Sequence, residues 1–139
     1  MHELAALGVV GLSRALKTRA VSAREAALAC LREVERREPG LHAFLTVTEE
    51  EALAQADWVD ARRAAGEPLS PLAGIPFGLK DNICTKGIRT TCASRMLESF
   101  VPPYSAAAAE RLSQSVLLGK LNMDEFGMGN STQCSAFGG

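Results

Sequence analysis

Apolar positions recur at helical spacing through the first half of the chain and in short, strand-like runs through the second. Residues 3–18 carry leucines and valines and end in the basic turn Lys17-Thr18-Arg19, which predicts a first helix. Gly8 and Gly11 weaken it, each by about 1 kcal/mol relative to alanine. Ser22-Ala23-Arg24-Glu25 reads as a capping box opening a second helix to about Arg37. Ala27, Cys30, Leu31 and Val34 form its apolar face, and Glu38-Pro39-Gly40 is expected to stop it. Leu41 to Val47 follows as a short strand or extended segment. Thr48-Glu49-Glu50-Glu51 is a second capping box, opening a helix to about Ala65 with Gly66 as its stop and Leu53, Ala56 and Val59 facing inward.

After a turn-rich link at 67–71 the period changes. Leu72 to Leu79 is an uninterrupted apolar run, read as a buried strand, and Asp81 to Thr91 an irregular loop. Ser94 to Phe100 predicts a short helix ended by Pro102-Pro103, and Ser105 to about Gln114 an alanine-rich one with Ser105 as its N-cap. Val116-Leu117-Leu118 predicts a strand of the kind covered on both faces. Asn122 to Phe126 reads as a helical turn, and from Gly127 onward the residues are small and polar, as in a loop. The expected architecture is α/β, with a helical part at 1–66 and the start of an α/β core at 72–139. The core reads as incomplete, because two strands make only a ribbon, and 72–79 and 116–118 are expected to expose apolar edges.

Composition changes this picture little. The 139 residues are 47% hydrophobic and 22% charged, with a net charge of −1, which leaves no electrostatic footprint for nucleic acid. Cys30, Cys84, Cys92 and Cys134 form no C-x-x-C pair and stand far in sequence from His2 and His42. No metal site is expected, and the cysteines read as reduced cytosolic thiols packed as small apolar groups. No signal peptide or membrane span is recognised, so a cytoplasmic location is expected.

Chemistry concentrates at Gly74-Ile75-Pro76-Phe77-Gly78-Leu79-Lys80-Asp81-Asn82, where Lys80 ends an apolar run. Burial beside Ile75, Phe77 and Leu79 would depress its pKa and let the amine act as a general base toward a serine. The alternative is structural: Lys80 snorkels to water, or pairs with Asp81 at the strand end. Elsewhere, Asp124 and Glu125 are sequence neighbours that do not face each other in a helix, and they read as N-terminal dipole partners. Thr90 and Thr91 read as turn or cap residues or as donors near an active centre, and Trp58 as a core or interface anchor.

The ordered series G-I-P-F-G-L-K-D-N-I, T-K-G-I-R-T-T, S-R-x-L-E-x-F-V-P-P-Y and L-L-G-K-L-N-M-D-E-F-G-M-G-N-S-T resembles the N-terminal part of the amidase signature family, over nearly the whole chain. The stretch N-M-D-E-F-G-M-G-N-S-T is most similar to the A subunits of the glutamyl-tRNA(Gln)/aspartyl-tRNA(Asn) amidotransferases within that family. The resemblance implies a mixed sheet and a Ser-cis-Ser-Lys triad in which Lys80 is the lysine. It would relay a proton through the cis serine to a nucleophilic serine that attacks glutamine, releasing ammonia. The resemblance also implies that Met128, Gly129, Asn130 and Ser131 belong to a loop approaching the substrate. It implies B and C subunits as partners, with tRNA contacted mainly through the partner. ATP and Mg²⁺ would be used by the complex through the partner subunit, with no cofactor in this chain.

The chain departs from the family pattern at Ser105, where an acidic residue is usual, and at Ser113-Gln114-Ser115, which runs into Val116 without the usual Gly-Ala. In the family both triad serines lie beyond the segment matching Ser135-Ala136-Phe137-Gly138. The 139 residues are therefore expected to hold the lysine without the nucleophile, the cis serine and much of the oxyanion hole, one donor of which is worth about 10²–10³ in rate. The expectation is an N-terminal part or truncated copy that is inactive alone. The alternatives are a non-catalytic remnant or partner-binding fragment, and an amidase-signature hydrolase of another small amide.

Overall fold

A computed structural model describes Leu4 and residues 7–139. The readings placed on His2 and on the start of the helix at residue 3 fall outside the described residues. Four helices are described, α1 (Gly8–Lys17), α2 (Ala23–Leu41), α3 (Glu49–Ala64) and α4 (Ala107–Arg111), with strands β1 (Phe44–Val47), β2 (Pro76–Lys80) and β3 (Val116–Leu121). Short 3₁₀ turns occupy Arg95–Leu97 and Glu125–Gly127. The class is α/β, as expected. The sheet has three strands rather than two, in the order β1-β3-β2, because the short run Phe44–Val47 joins it. β1 lies antiparallel to β3, with Thr46 opposite Lys120. The bonds Val116 N–H to Ile75 O and Asp81 N–H to Leu121 O advance in the same direction along β2 and β3, so that pair is parallel and the sheet is mixed.

The chain falls into two compact units. The first comprises Met1–Arg36, Thr48–Phe77 and Leu112–Leu118. Its core is aliphatic and alanine-rich: Leu16, Ala23, Ala27, Ala56, Val59 and Val116 are all essentially inaccessible. Small side chains allow close approach: a Cβ on Gly74 would stand 2.9 Å from that of Ala23. The Ser22 capping box forms as predicted, the Ser22 N–H donating to Glu25 (2.8 Å) and the Glu25 N–H to Ser22 Oγ (3.0 Å). Asp60 of α3 adds a cap from outside the helix, accepting from the Ala23 and Arg24 amides at 2.8 and 3.1 Å. Gly66, at φ 73°, ends α3 in a Schellman motif, with Gly66 N–H on Arg63 O and Glu67 N–H on Arg62 O.

The second unit comprises Arg37–Val47, Gly78–Arg111 and Gly119–Gly139. Here β3 is interior, and Gly119 and Lys120 are buried. A Cβ on Gly119 would lie 2.2 Å from the Thr46 carbonyl oxygen, so only glycine permits this pairing with β1. Val116 and Leu118, which belong to the first unit, are buried as well, which corrects the expectation that 116–118 would expose an apolar edge.

Several local predictions are corrected. α2 continues through Pro39 to Leu41, on an exposed last turn where solvent can satisfy the carbonyl that proline leaves unbonded. The chain turns instead at His42, φ 47°. Thr48 makes no cap bond, because its hydroxyl donates to the Leu117 carbonyl at 2.9 Å. Ser105 is not a cap; its Oγ accepts the Lys86 N–H at 2.9 Å, and α4 spans only five residues. All four cysteines are free, and only Cys134 is exposed.

Candidate functional site

The last residue of β2 is Lys80, and its side chain is exposed. The desolvated setting expected for it is therefore not found. Pro76, Phe77 and Gly78 are themselves only half-buried, so β2 offers no apolar sleeve around the amine. Lys80 lies within electrostatic reach of Asp124, whose carboxyl is held below the usual carboxylate range. The Cys134 and Thr132 amides contribute most to that lowering, the Ser131 amide and the Lys80 charge add to it, and desolvation opposes it.

Asp124 organises the loop that contains the other predicted site residues. Its Oδ2 accepts the Ser131 and Thr132 N–H groups at 2.9 and 3.0 Å, and its Oδ1 the Cys134 N–H at 2.8 Å. This replaces the helix-dipole role expected for Asp124. Gly129 packs on the same carboxylate: a Cβ there would sit 2.6 Å from Oδ2. Its lack of a side chain thus serves the loop's own packing. Met128 is 81% exposed, and Asn130 and Ser131 also face solvent. Asp124 thus anchors the loop after Gly129, and the Lys80 charge acts on the same carboxyl from a distance.

Between strand and loop runs a strained turn. Cys92 and Ala93 are consecutive non-glycine residues in the left-handed region (φ 52° and 53°), a conformation costing roughly 1–2 kcal/mol each. Hydrogen bonds hold it: Cys92 N–H to Asp81 O, Ala93 N–H to Thr91 Oγ1, Phe126 N–H to Cys92 O and Ala136 N–H to Ala93 O. Phe137 lies under two guanidiniums, Arg95 at 4.6 Å and Arg89 at 5.4 Å from its ring centroid.

The buried lysine of this unit is Lys120, which sequence reasoning passed over. It is 0% exposed. Its Nζ donates to Ile83 O and Thr90 Oγ1, both at 2.8 Å, and stands 3.7 Å from Asp81 Oδ1. Desolvation pulls its pKa down, and the Asp81 charge opposes that. Asp81 Oδ2 accepts both the Thr91 N–H (2.9 Å) and the Thr91 hydroxyl. Asp81 therefore pairs with Lys120, not with its neighbour Lys80, and Thr90 and Thr91 serve this cluster. The signal was present: Val116-Leu117-Leu118-Gly119-Lys120-Leu121 is a lysine in an apolar run. Among the described residues no group of three or more His, Cys, Asp or Glu is placed to hold a metal ion. No described helix is long and apolar enough to cross a membrane.

The class follows from comparison of this α/β fold and its sequence with known proteins. The profile of the family described as Amidase matches residues 25–139, and the chain belongs to that family. Over 120 residues the chain is 62% identical to the A subunit of the glutamyl-tRNA(Gln) amidotransferase of Synechococcus sp. (strain WH7803), in an alignment covering 85% of this chain and 25% of the relative. It resembles the solved A subunit of the Thermotoga maritima glutamyl-tRNA(Gln) amidotransferase with a TM-score of 0.61 at 35% identity, over 80% of this chain and 22% of that one. The native peptide amidase of Stenotrophomonas maltophilia matches with a TM-score of 0.74 at 31% identity, over 85% of this chain and 25% of that one. The chain thus spans about a quarter of the length of the curated relatives it matches.

Proposed function

We propose that this chain carries the lysine arm of a glutamine-hydrolysing site in the A subunit of a tRNA-dependent amidotransferase. The 62% identity to such a protein is the observation that carries the reading. In it, Lys80 is the proton relay, passing a proton through a cis serine to a nucleophilic serine. The nucleophile displaces ammonia from the glutamine side chain, and water releases glutamate. The exposed stretch Met128, Gly129, Asn130 and Ser131, held by Asp124, borders the substrate. In this reading the exposed Lys80 amine is open to the serines it would serve. B and C subunits are the proposed partners, with tRNA contacted mainly through them. ATP and Mg²⁺ are assigned to the partner subunit.

The test joins residues 25–139 to the remaining three quarters of the Synechococcus protein and measures ammonia release from glutamine. Lys80→Ala is expected to cost about 10²–10⁴ in rate, the usual worth of a positioned acid–base group. Unchanged release in that variant would overturn the role of Lys80. The isolated 139-residue polypeptide is expected to release no ammonia. Co-purification with B and C subunits checks the partner assignment.

A second reading, hydrolysis of a simple amide, is favoured by the higher TM-score to the peptide amidase than to the Thermotoga protein. Aliphatic and peptide amides turned over faster than glutamine by the joined protein would select it.

A further inference from the structure

Lys120 is a charge that the proposed reaction does not use, buried where an apolar side chain would fold more cheaply. Desolvating an ammonium costs several kcal/mol, and attraction to one carboxylate repays that only in good geometry. Here the geometry is incomplete. At 3.7 Å the Asp81 Oδ1 is not hydrogen-bonded to Nζ, and no described group bonds it. A residue retained at such a cost is explained better by what it fixes than by the stability it adds.

What it fixes is specific. Every polar partner of the Lys120 ammonium lies in the segment that leaves β2 directly after Lys80. Ile83 O is near its start, Thr90 Oγ1 near its end, and Asp81 at its first position. Asp81 is pinned in turn at three points: its N–H donates to Leu121 O, its carbonyl accepts from Cys92 N–H, and its Oδ2 accepts from Thr91. One ammonium rooted in the central strand therefore ties both ends of an eleven-residue excursion (81–91), whose Asp81 carbonyl and Thr91 hydroxyl in turn accept from the strained Cys92-Ala93 turn.

We propose that Lys120 is a positioning residue for Lys80: its buried ammonium holds the 81–91 segment against β3 and so fixes the strand end from which the Lys80 amine projects. The catalytic consequence rests on the reading of Lys80 as proton relay; the structural one does not.

The experiment has two arms. In the 139-residue protein, amide hydrogen exchange is followed by NMR in Lys120→Met, which keeps the stem and removes the charge. Exchange at the Asp81 and Cys92 amides is expected to accelerate about tenfold, the scale set by leaving buried partners unsatisfied, while α3 amides in the other unit stay within about twofold. Equal acceleration in both places, or none, overturns the proposal. Should Lys120→Met fail to fold, Thr90→Val decides. It removes one acceptor and leaves the lysine, and a local acceleration of roughly threefold at the same amides is expected. Its absence there overturns the proposal as well.

In the second arm, Lys120→Met in the joined amidotransferase protein is expected to lower kcat for glutamine about tenfold with KM unchanged, as for a group that orients the relay without touching substrate. A rise in KM at constant kcat overturns positioning. A joined enzyme whose rate ignores Lys80→Ala rejects the glutaminase reading alone, and the exchange measurements still judge Lys120.

Discussion

Two lysine–aspartate regions sit near the ends of parallel strands, and they are built on opposite terms. Lys120 and Asp81 are both inaccessible, and their partners are a carbonyl, two threonines and each other. Lys80 is exposed, and its aspartate, Asp124, spends its hydrogen bonds on loop amides. The first region is closed and costly to disturb, while the second leaves a lysine free beside an ordered loop. Rigidity is thus placed under the strand end, and freedom is left to the group proposed to move a proton. That division is the usual one between a supporting scaffold and a working side chain.

The largest test of the comparison is to break the closed region. Asp81→Ala strands the Lys120 ammonium without its counter-charge and orphans the Thr91 amide. It is expected to destabilise the protein by about 3–5 kcal/mol, the penalty for removing one member of a buried pair. Lys80→Ala, at an exposed site, is expected to stay within about 0.5 kcal/mol. Urea unfolding of both variants at neutral pH measures the contrast, and comparable losses would erase the distinction between the regions.

A smaller effect is expected at the open region's own packing. The Cβ of Gly129→Ala would stand 2.6 Å from Asp124 Oδ2 and 2.7 Å from Cγ, so the loop or the carboxylate must shift. Overpacking of this kind costs about 1–3 kcal/mol. The Ser131 and Thr132 amides are expected to lose protection from exchange while Asp81 and Cys92 keep theirs. Loss at both sets would show that the regions are not independent.

The same contrast explains what could be read in advance. The Ser22 box and the Gly66 stop were legible because every bond in them spans a few residues. Thr48 looked identical to Ser22 in sequence, but its hydroxyl is claimed by a carbonyl 69 positions away, a partner no local pattern announces. The rule that an apolar run makes a lysine notable applied equally to Lys80 and Lys120, and only the burial of β3 between two other strands decides between them. Asp124 reads as a helix-terminal acid in sequence because its neighbours suggest a helix. Its actual partners lie seven to ten residues on, in a loop whose path depends on the turn at Cys92-Ala93. The α/β class and the family resemblance survived because they rest on whole segments; the site's internal wiring rests on single long-range bonds.

The smallest expected effect bears directly on whether Lys80 and Asp124 form one region. The folded pKa of Asp124 is below its ordinary value of about 3.9, so the stabilisation it gives the loop is fully present above that value. It is lost as pH falls through the lowered folded pKa, when protonation weakens the bonds from the Cys134, Thr132 and Ser131 amides. These three amide resonances should therefore shift together on acidification, and in Asp124→Asn they should lack that transition. The Lys80 charge contributes the least of the lowering causes, so Lys80→Ala should move the midpoint upward by a small amount, toward the ordinary value. Lys120→Met should leave it in place, because that ammonium faces Asp81. A midpoint that answers to Lys120 and not to Lys80 would mean that the open region is governed from the closed one, and the two would have to be treated as a single electrostatic unit.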